Sequence, residues 1–304
     1  MKLSIIIVSF NTKDFLKQCL DSIKKGIEGI KGEIIVVDNG STDGSVREIQ
    51  KSKVKYQNDN LKFKIILNRK NLGFSKANNQ ALRQSQGKYI LLLNPDTIVP
   101  KETLPFMIQF MEKNKNVGIA TCRVELPSGE LDDACHRGFP TPWNALCHFL
   151  GLGRLFPHSR LLNGYHLGYQ DMNMVHEIDA CAGAFLLIRR EVGKKVGWFD
   201  EDYFWYGEDL DLCFRVKKAG WKIMFVPDVK IIHYKGAASG IKKRLSVALR
   251  VSKETKILAT KARFDVMRIF YNKHYRKEYP QFIRWLVLAA IEIKRRITLL
   301  RIKI

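Results

Sequence analysis

Apolar runs and polar clusters alternate through the first third of the chain. Residues 3–9 (LSIIIVS) form a short, β-branched apolar run, the pattern of a strand buried on both faces. Phe15, Leu16, Cys19, Leu20 and Ile23 then recur at helical spacing over 13–25, with Asn11 and Thr12 placed to cap that helix. Further strands are predicted at 33–37, 63–67 and 89–93, and a helix at 75–84. Ser41 to Asp43 read as the cap of another helix. Such strand–helix alternation predicts an α/β fold, a mainly parallel sheet with helices on its faces. Residues 125–175 are rich in Gly, Pro, His and aromatics and carry no period, which predicts loops and short helices over a site. Regularity returns at 184–190, a strand or strand–helix junction, and at 208–219, a helix stopped by Gly220. Residues 222–226 and 229–233 read as two short strands.

This alternation puts Ser9-Phe10-Asn11, Asp38-Asn39 and Asn94-Pro95-Asp96 at the carboxyl ends of strands, the edge where open α/β sheets bind ligands. No Walker A sequence occurs and no GxGxxG follows the first strand, so a nucleotide site here needs another scheme. With 304 residues, 46% hydrophobic, the chain can bury a large core, and its composition excludes a disordered or collagenous protein. Its six cysteines form no CxxC pair, which argues against zinc and for buried free thiols in a reducing compartment. The opening run lacks the length and cleavage site of a signal peptide.

Charge changes the picture at one end. The formal charge is +22, and residues 241–304 hold 18 Lys and Arg against 4 Asp and Glu. The first 240 residues carry only +8. An anionic membrane surface and nucleic acid are both candidate partners for such a tail. Phe264, Met267, Phe270 and Tyr271 recur at helical spacing within it. The continuous apolar stretch 285–291 is far short of the roughly 20 residues that span a bilayer. With Arg and Lys on either side of that stretch, the segment suits a helix lying in the headgroup plane. The competing reading is a helix packed on the α/β domain with a solvated basic face. No nucleic-acid motif appears, so nucleic acid is not the expected partner.

Four clusters carry candidate chemistry. Asp96 follows the apolar YILLL run, where a strand-end carboxylate can hold a divalent cation against a diphosphate; Asn-Pro-Asp-Thr is also good turn chemistry. Six carboxylates lie within residues 200–211, next to six aromatics that include Trp205 and Tyr206. Glu208 and Asp209 sit at a predicted helix start, which suits a general base and equally suits capping. His233, after a strand, is either a satisfied polar group or a metal-side ligand. Residues 68–79 (NRKNLGFSKANN), with Asn71, can contact phosphate or base, or form a solvated loop.

Together these pieces resemble the family-2 glycosyltransferases of the GT-A fold, especially the bacterial rhamnosyltransferase-like branch. The resemblance runs over about residues 3–239 on SIIIVSFN, EIIVVDNGSTDGS, NLGFSKANN, YILLLNPDT, AGAFLLIRRE, GWFDEDYFWYGEDLDLCFRVKKAGW and IIHYKGAAS. It implies a catalytic domain over 1–240 and a basic helical extension over 241–304. It implies an inverting transfer from a nucleotide diphosphate sugar, dTDP-rhamnose first and UDP-hexoses next, to a glycan or lipid-linked glycan. Ser9, Phe10, Asn11, Asp38, Asn39 and Asn71 would contact the nucleotide. Asn94 and Asp96 stand where the family has an Asp-x-Asp motif, so Asp96 would bind Mg²⁺ or Mn²⁺ and the diphosphate, with His233 as second ligand. Asn94 replaces the motif's first Asp. Asp209 would be the base, Glu208 its partner, and Trp205 and Tyr206 acceptor contacts. The implied location is cytoplasmic, peripheral on the inner face of the cell membrane. A catalytically inactive scaffold and a nucleic-acid-binding protein are the alternatives.

Overall fold

The computed structural model describes residues 1–56, 60–235 and 253–303. In chain order the elements are β1 (Leu3–Ser9), α1 (Lys13–Gly26), β2 (Gly32–Asp38), α2 (Ser45–Tyr56), β3 (Leu61–Leu67), α3 (Phe74–Gln84), β4 (Tyr89–Leu93) and β5 (Thr97–Ile98). Then follow α4 (Thr103–Lys113), β6 (Val117–Glu125), α5 (Pro142–Leu150), α6 (Leu152–Leu155), β7 (His176–Glu177), β8 (Phe185–Arg189) and α7 (Arg190–Val196). The last are α8 (Glu208–Lys218), β9 (Lys222–His233), α9 (Lys253–Phe270) and α10 (Gln281–Lys303).

Among the described residues the strands form one mixed sheet, ordered β3-β2-β1-β4-β8-β6-β9-β5, with β7 on β9. Strands β1 to β4 are mutually parallel, and β8 enters antiparallel between β4 and β6. Parallel pairing of β6 with β9 restores the first direction. Ser9, Asp38, Leu93 and His233 therefore end their strands at one edge. Every residue of β1, β2, β4 and β8 is buried, so helices cover both faces of the sheet centre.

Two local expectations are corrected. Thr12 occupies the N-cap of α1 but makes no capping bond with its side chain. The Lys13 N–H donates instead to Asp43 Oδ2 at 2.9 Å, so a carboxylate from the β2–α2 loop caps α1 and ties two sheet-edge loops together. The two short strands at 222–226 and 229–233 are one strand, β9, because the interruption at Pro227-Asp228 is taken up as a register shift against Cys122 and Arg123 while pairing continues on both sides. All six cysteines are free and buried, as expected.

The C-terminal helices join the same core. Phe270, Tyr271 and Tyr275 are essentially inaccessible and pack with it, and Tyr271 Oη donates to the Pro140 carbonyl at 2.7 Å. Of the tail's expected helical aromatics, Phe270 and Tyr271 thus face inward. The expected domain boundary at residue 240 and the GAAS stretch at 236–239 lie outside the described residues. Among the described residues no helix is long and apolar enough to cross a membrane.

Candidate active site

The sheet edge gathers its first group of side chains at β1 and β2. Asn11, held at φ 53°, accepts from the Thr42 N–H at 2.8 Å through Oδ1. The Asn11 N–H donates to Ser41 Oγ at 3.0 Å, which locks the loops after β1 and β2 together. Ser9 is buried with its Oγ 3.0 Å from Thr12 Oγ1. Phe10, half-buried, lies between these two residues. Asp38 is buried and spends one oxygen, Oδ1, on the Gly40 and Ser41 N–H groups at 3.2 and 2.9 Å. Its Oδ2 is buried without a hydrogen-bond partner, an acceptor aimed at nothing within the described protein.

Asn39 and Asn71 are differently employed. Asn39 Nδ2 donates to Asn71 Oδ1 at 2.9 Å, and Asn39 Oδ1 accepts from Asn68 Nδ2 and the Leu72 N–H, both at 3.1 Å. Asn71 Oδ1 also accepts from the Gly73 N–H at 2.9 Å. These amides hold the 68–73 loop against the end of β2. Gly40, at φ 87°, makes that approach possible: a Cβ there would lie 2.8 Å from the backbone of Lys70.

The second group forms where β4 and β9 end. Asp96 and His233 are both buried, with Asp96 Oδ1 3.3 Å from His233 Nε2. Asn94 Nδ2 stands 3.3 Å from the same nitrogen. The other ring nitrogen, Nδ1, is 2.8 Å from Asp132 Oδ2, and Lys235 pairs with Asp132 Oδ1. Burial opposes charge on His233, but Asp96 and the Asp132 hydrogen bond overcome it and raise its pKa to about 9. Asp132, pulled by the same contacts against its burial, is held well below the usual carboxylate range.

The third group is the acidic segment 200–211, where each carboxylate has its own environment. Asp200 and Asp202 clamp Lys273. Glu201 accepts from Asn79 Nδ2 at 3.0 Å. Asp211 is buried between Arg215 at 2.7 Å and His274 Nε2 at 2.6 Å. The last two lead α8. Glu208 is buried with Oε2 unpartnered, whereas Asp209 is less buried and pairs with Arg137 Nη2 at 3.4 Å. Burial, then the Asp209 charge, pushes the Glu208 carboxyl up to about 8. Gly207 caps α8 at φ 83°, where a Cβ would lie 2.2 Å from Val266 of α9. Trp205 and Tyr206 are half-buried and stack at 6.1 Å with an 8° interplanar angle.

One loop links the second and third groups. Asp132 touches His233, and Arg137, five residues on, touches Asp209. Five residues span at most about 18 Å even when fully extended. Between them the chain is folded into a 3₁₀ turn, Asp133–Cys135, so the true separation is shorter. One short loop is therefore anchored at its start to the Asp96–His233 pair and at its end to Asp209. Sequence reasoning missed both anchors of this loop. ELDDACHR has acidic and basic residues but no period, and nothing in its spacing marks Asp132 or Arg137 as partners of residues 72 to 101 positions away.

Glu208 gives a prediction. Its folded pKa stands above that of the unfolded chain, so the native state binds the extra proton and stability falls as pH rises from about 4.5 to about 8. Glu208→Gln removes this cost. Its melting temperature minus that of the wild type should grow between pH 5 and pH 8 and level off above, by several degrees. A difference independent of pH, read by differential scanning fluorimetry, would show that Glu208 is not held protonated.

Residues 4–197 match the family model described as Glycosyl transferase family 2. The chain belongs to this family. It is a nucleotide-sugar-dependent glycosyltransferase of the inverting type. It is 29% identical to rhamnosyltransferase WbbL of Escherichia coli K12 over 238 residues, 76% of this chain and 82% of that protein. It is 25% identical to the N-acetylglucosaminyl-diphospho-decaprenol L-rhamnosyltransferase of Mycobacterium tuberculosis, over 78% of each. The fold resembles that of mannosyltransferase PcManGT from Pyrobaculum calidifontis, solved with GDP-Man and Mn²⁺, at TM-score 0.59 and 16% identity over 99% of this chain and 73% of that one. Residues 1–349 of S. aureus TarS align at TM-score 0.56 and 17% identity, over 98% and 72%. These neighbours establish the GT-A architecture for this family member. The family match ends before Glu208, Asp209 and His233, so geometry carries the argument for those residues.

Proposed function

We propose that this glycosyltransferase moves L-rhamnose from dTDP-rhamnose to a hydroxyl of a glycan or lipid-linked glycan in cell-surface polysaccharide synthesis, with the acceptor oxygen activated by Asp209. The observation that carries the residue assignment is the 132–137 loop, which joins the Asp96–His233 pair to the Asp209–Arg137 pair. The sugar is supported by two relatives named as rhamnosyltransferases. The acceptor class is supported by the diphospho-decaprenol in the mycobacterial relative's name.

Asp38 Oδ2, buried and unpartnered, is the acceptor for a nucleobase N–H, with Ser9, Phe10 and Asn11 beside it. Asn39 and Asn71 act indirectly, by fixing the loop that faces the nucleotide. Asp96 and His233 are the residues that would hold Mg²⁺ or Mn²⁺, the cation taking the place of the Nε2 proton that Asp96 now stabilises. Asp96 Oδ1 and His233 Nε2 face each other, and Asp132 fixes the imidazole from behind. Few protein ligands plus phosphate oxygens is the sparse set such cations take at phosphate sites. When bound, the cation neutralises charge building on the leaving diphosphate.

The chain's own residues supply the rest. Asp209 takes the acceptor hydroxyl proton, and the oxygen attacks C1 on the face opposite the diphosphate. The C1–O bond to the nucleotide breaks through an oxocarbenium-like state. The Trp205–Tyr206 stack offers the acceptor sugar a flat apolar face. Glu208, protonated near neutral pH, is a hydrogen-bond donor beside the base. The enzyme works on the inner face of the cell membrane, with its basic tail toward anionic lipid.

The test is a thermal-shift screen of nucleotide sugars with and without Mn²⁺, followed by transfer assays. dTDP-rhamnose should give the largest Mn²⁺-dependent rise. A larger rise with a UDP-hexose would displace rhamnose, and no response to any donor would favour a non-catalytic scaffold. Asp132→Asn should weaken Mn²⁺ binding about 10–100-fold, because the imidazole loses the carboxylate that orients it. Titration followed by Mn²⁺ electron paramagnetic resonance reads this directly, and an unchanged affinity would remove Asp132 from that role.

A further inference from the structure

Helix α10 is apolar on two opposite sides. Ile291 is 1% exposed and faces the protein, with Val287 and Leu288 packed beside it. Yet Phe282, Trp285, Leu286, Ile293, Ile297 and Leu300 are all exposed. At 3.6 residues per turn these six fall within about 120° of arc, centred opposite Ile291, along about 27 Å of helix. Core packing explains the inner side and leaves the outer one without an occupant.

A second exposed apolar strip lies on the α5–α6 segment of the catalytic domain, whose helix α5 contacts α10. Trp143, Leu146 and Leu150 share one face of α5 at i, i+3 and i+7, and Leu155 of α6 follows, 71% exposed. Trp143 Nε1 donates to the Leu161 carbonyl at 2.9 Å, which folds the next loop onto this strip. The two helices touch where Lys294 Nζ, on the flank of α10, stands 4.1 Å from the centre of the Phe149 ring on α5. Most of the large exposed apolar side chains of the described protein belong to these two segments. Scattered surface apolar residues need no explanation, but a contiguous patch does.

We propose that α10 and the α5–α6 segment form one docking surface for an anionic lipid bilayer, on which the protein lies without crossing. Charge complementarity selects this occupant. Residues 253–303 hold fourteen Lys and Arg against four Asp and Glu, and Arg296 projects from the apolar arc itself. A second copy of this chain would bring the same positive field against itself, whereas an anionic headgroup layer neutralises it. The proposal deepens the peripheral-membrane reading above by making the catalytic domain half of the contact. The surface also has a mechanical link to the acidic segment. Lys273 and His274, in the turn between α9 and α10, grip Asp200, Asp202 and Asp211. A bilayer holding this face therefore fixes the height and tilt of Asp209 relative to a lipid-borne acceptor.

The experiment is co-sedimentation of the full chain with phosphatidylglycerol–phosphatidylcholine vesicles and with phosphatidylcholine vesicles. Three proteins are compared: wild type, Trp285→Glu/Ile293→Glu, and Leu150→Glu/Leu155→Glu. Wild type should bind the anionic vesicles, more weakly as salt rises, and each pair should lower binding more than about tenfold. Melting temperatures and donor-induced shifts should match wild type, since all four positions are solvent-facing. Loss from the α10 pair alone would overturn the two-part surface. No vesicle binding, or a wild-type dimer in light scattering that these changes dissolve, would overturn the lipid assignment. Failure of the donor screen with vesicle binding intact would sink the transfer reading and leave this surface standing.

Discussion

Asp209→Asn is expected to lower sugar transfer by about 10²–10⁴-fold while donor-induced thermal stabilisation stays within error of the wild type. The amide occupies the same volume and can still turn its one oxygen toward Arg137, which lies 3.4 Å from Oδ2 of the native carboxylate. The fold should therefore survive, and what disappears is the group that accepts a proton. Asp209→Ala is a harsher change, because it leaves the half-buried Arg137 guanidinium without its counter-charge; it should also lose melting temperature. Transfer assays with saturating donor and acceptor separate the two effects. Near-normal turnover by the Asn variant would move the base elsewhere, and Glu208→Gln would be the next protein to assay.

Asp96→Ala should abolish the Mn²⁺-dependent part of donor stabilisation and with it transfer. Donor at a hundredfold excess over its Kd stabilises a native protein by about 2.7 kcal/mol, so the lost signal is several degrees. The reason is the sparseness of the site. With Asp96 gone, His233 is the one remaining protein donor of the proposed pair, and a hard cation prefers oxygen. Metal-independent nucleotide contacts around Asp38 are untouched, so a weak, cation-insensitive shift should remain. An Asp96→Ala protein that kept the full Mn²⁺ response would place the cation somewhere else.

Much of this architecture was legible in the residues. LSIIIVS and YILLL announce strands buried on both faces, because only a doubly covered sheet accepts unbroken apolar runs that short. Asp38 and Asp96 were placeable because strand ends follow directly from those runs. Other parts depend on contacts that no local pattern encodes. Asp43 displaces Thr12 as the cap of α1 from 30 residues away. Pro227-Asp228 looks like a chain break and becomes a bulge only because β6 is present to pair on both sides. Asp132 and Arg137 lie in an aperiodic loop and acquire meaning only when β9 and α8 are brought to it. The tail's composition could not say that its aromatics divide between two sides, Phe270 and Tyr271 inward and Trp285 outward.

The grip of His274 on Asp211, and of Val266 on the space above Gly207, has a practical corollary. A shortened chain ending at residue 240 would not be a trimmed enzyme but an unroofed one. Phe214 would lose the ring of Phe270 packed edge-on at 5.5 Å, and Asp211 would keep only Arg215 and the Tyr203 hydroxyl. Such fragments should precipitate or bind hydrophobic dyes. Any effort to obtain a smaller, crystallisable piece is better directed at the outer apolar stripe of α10 than at the helix pair as a whole.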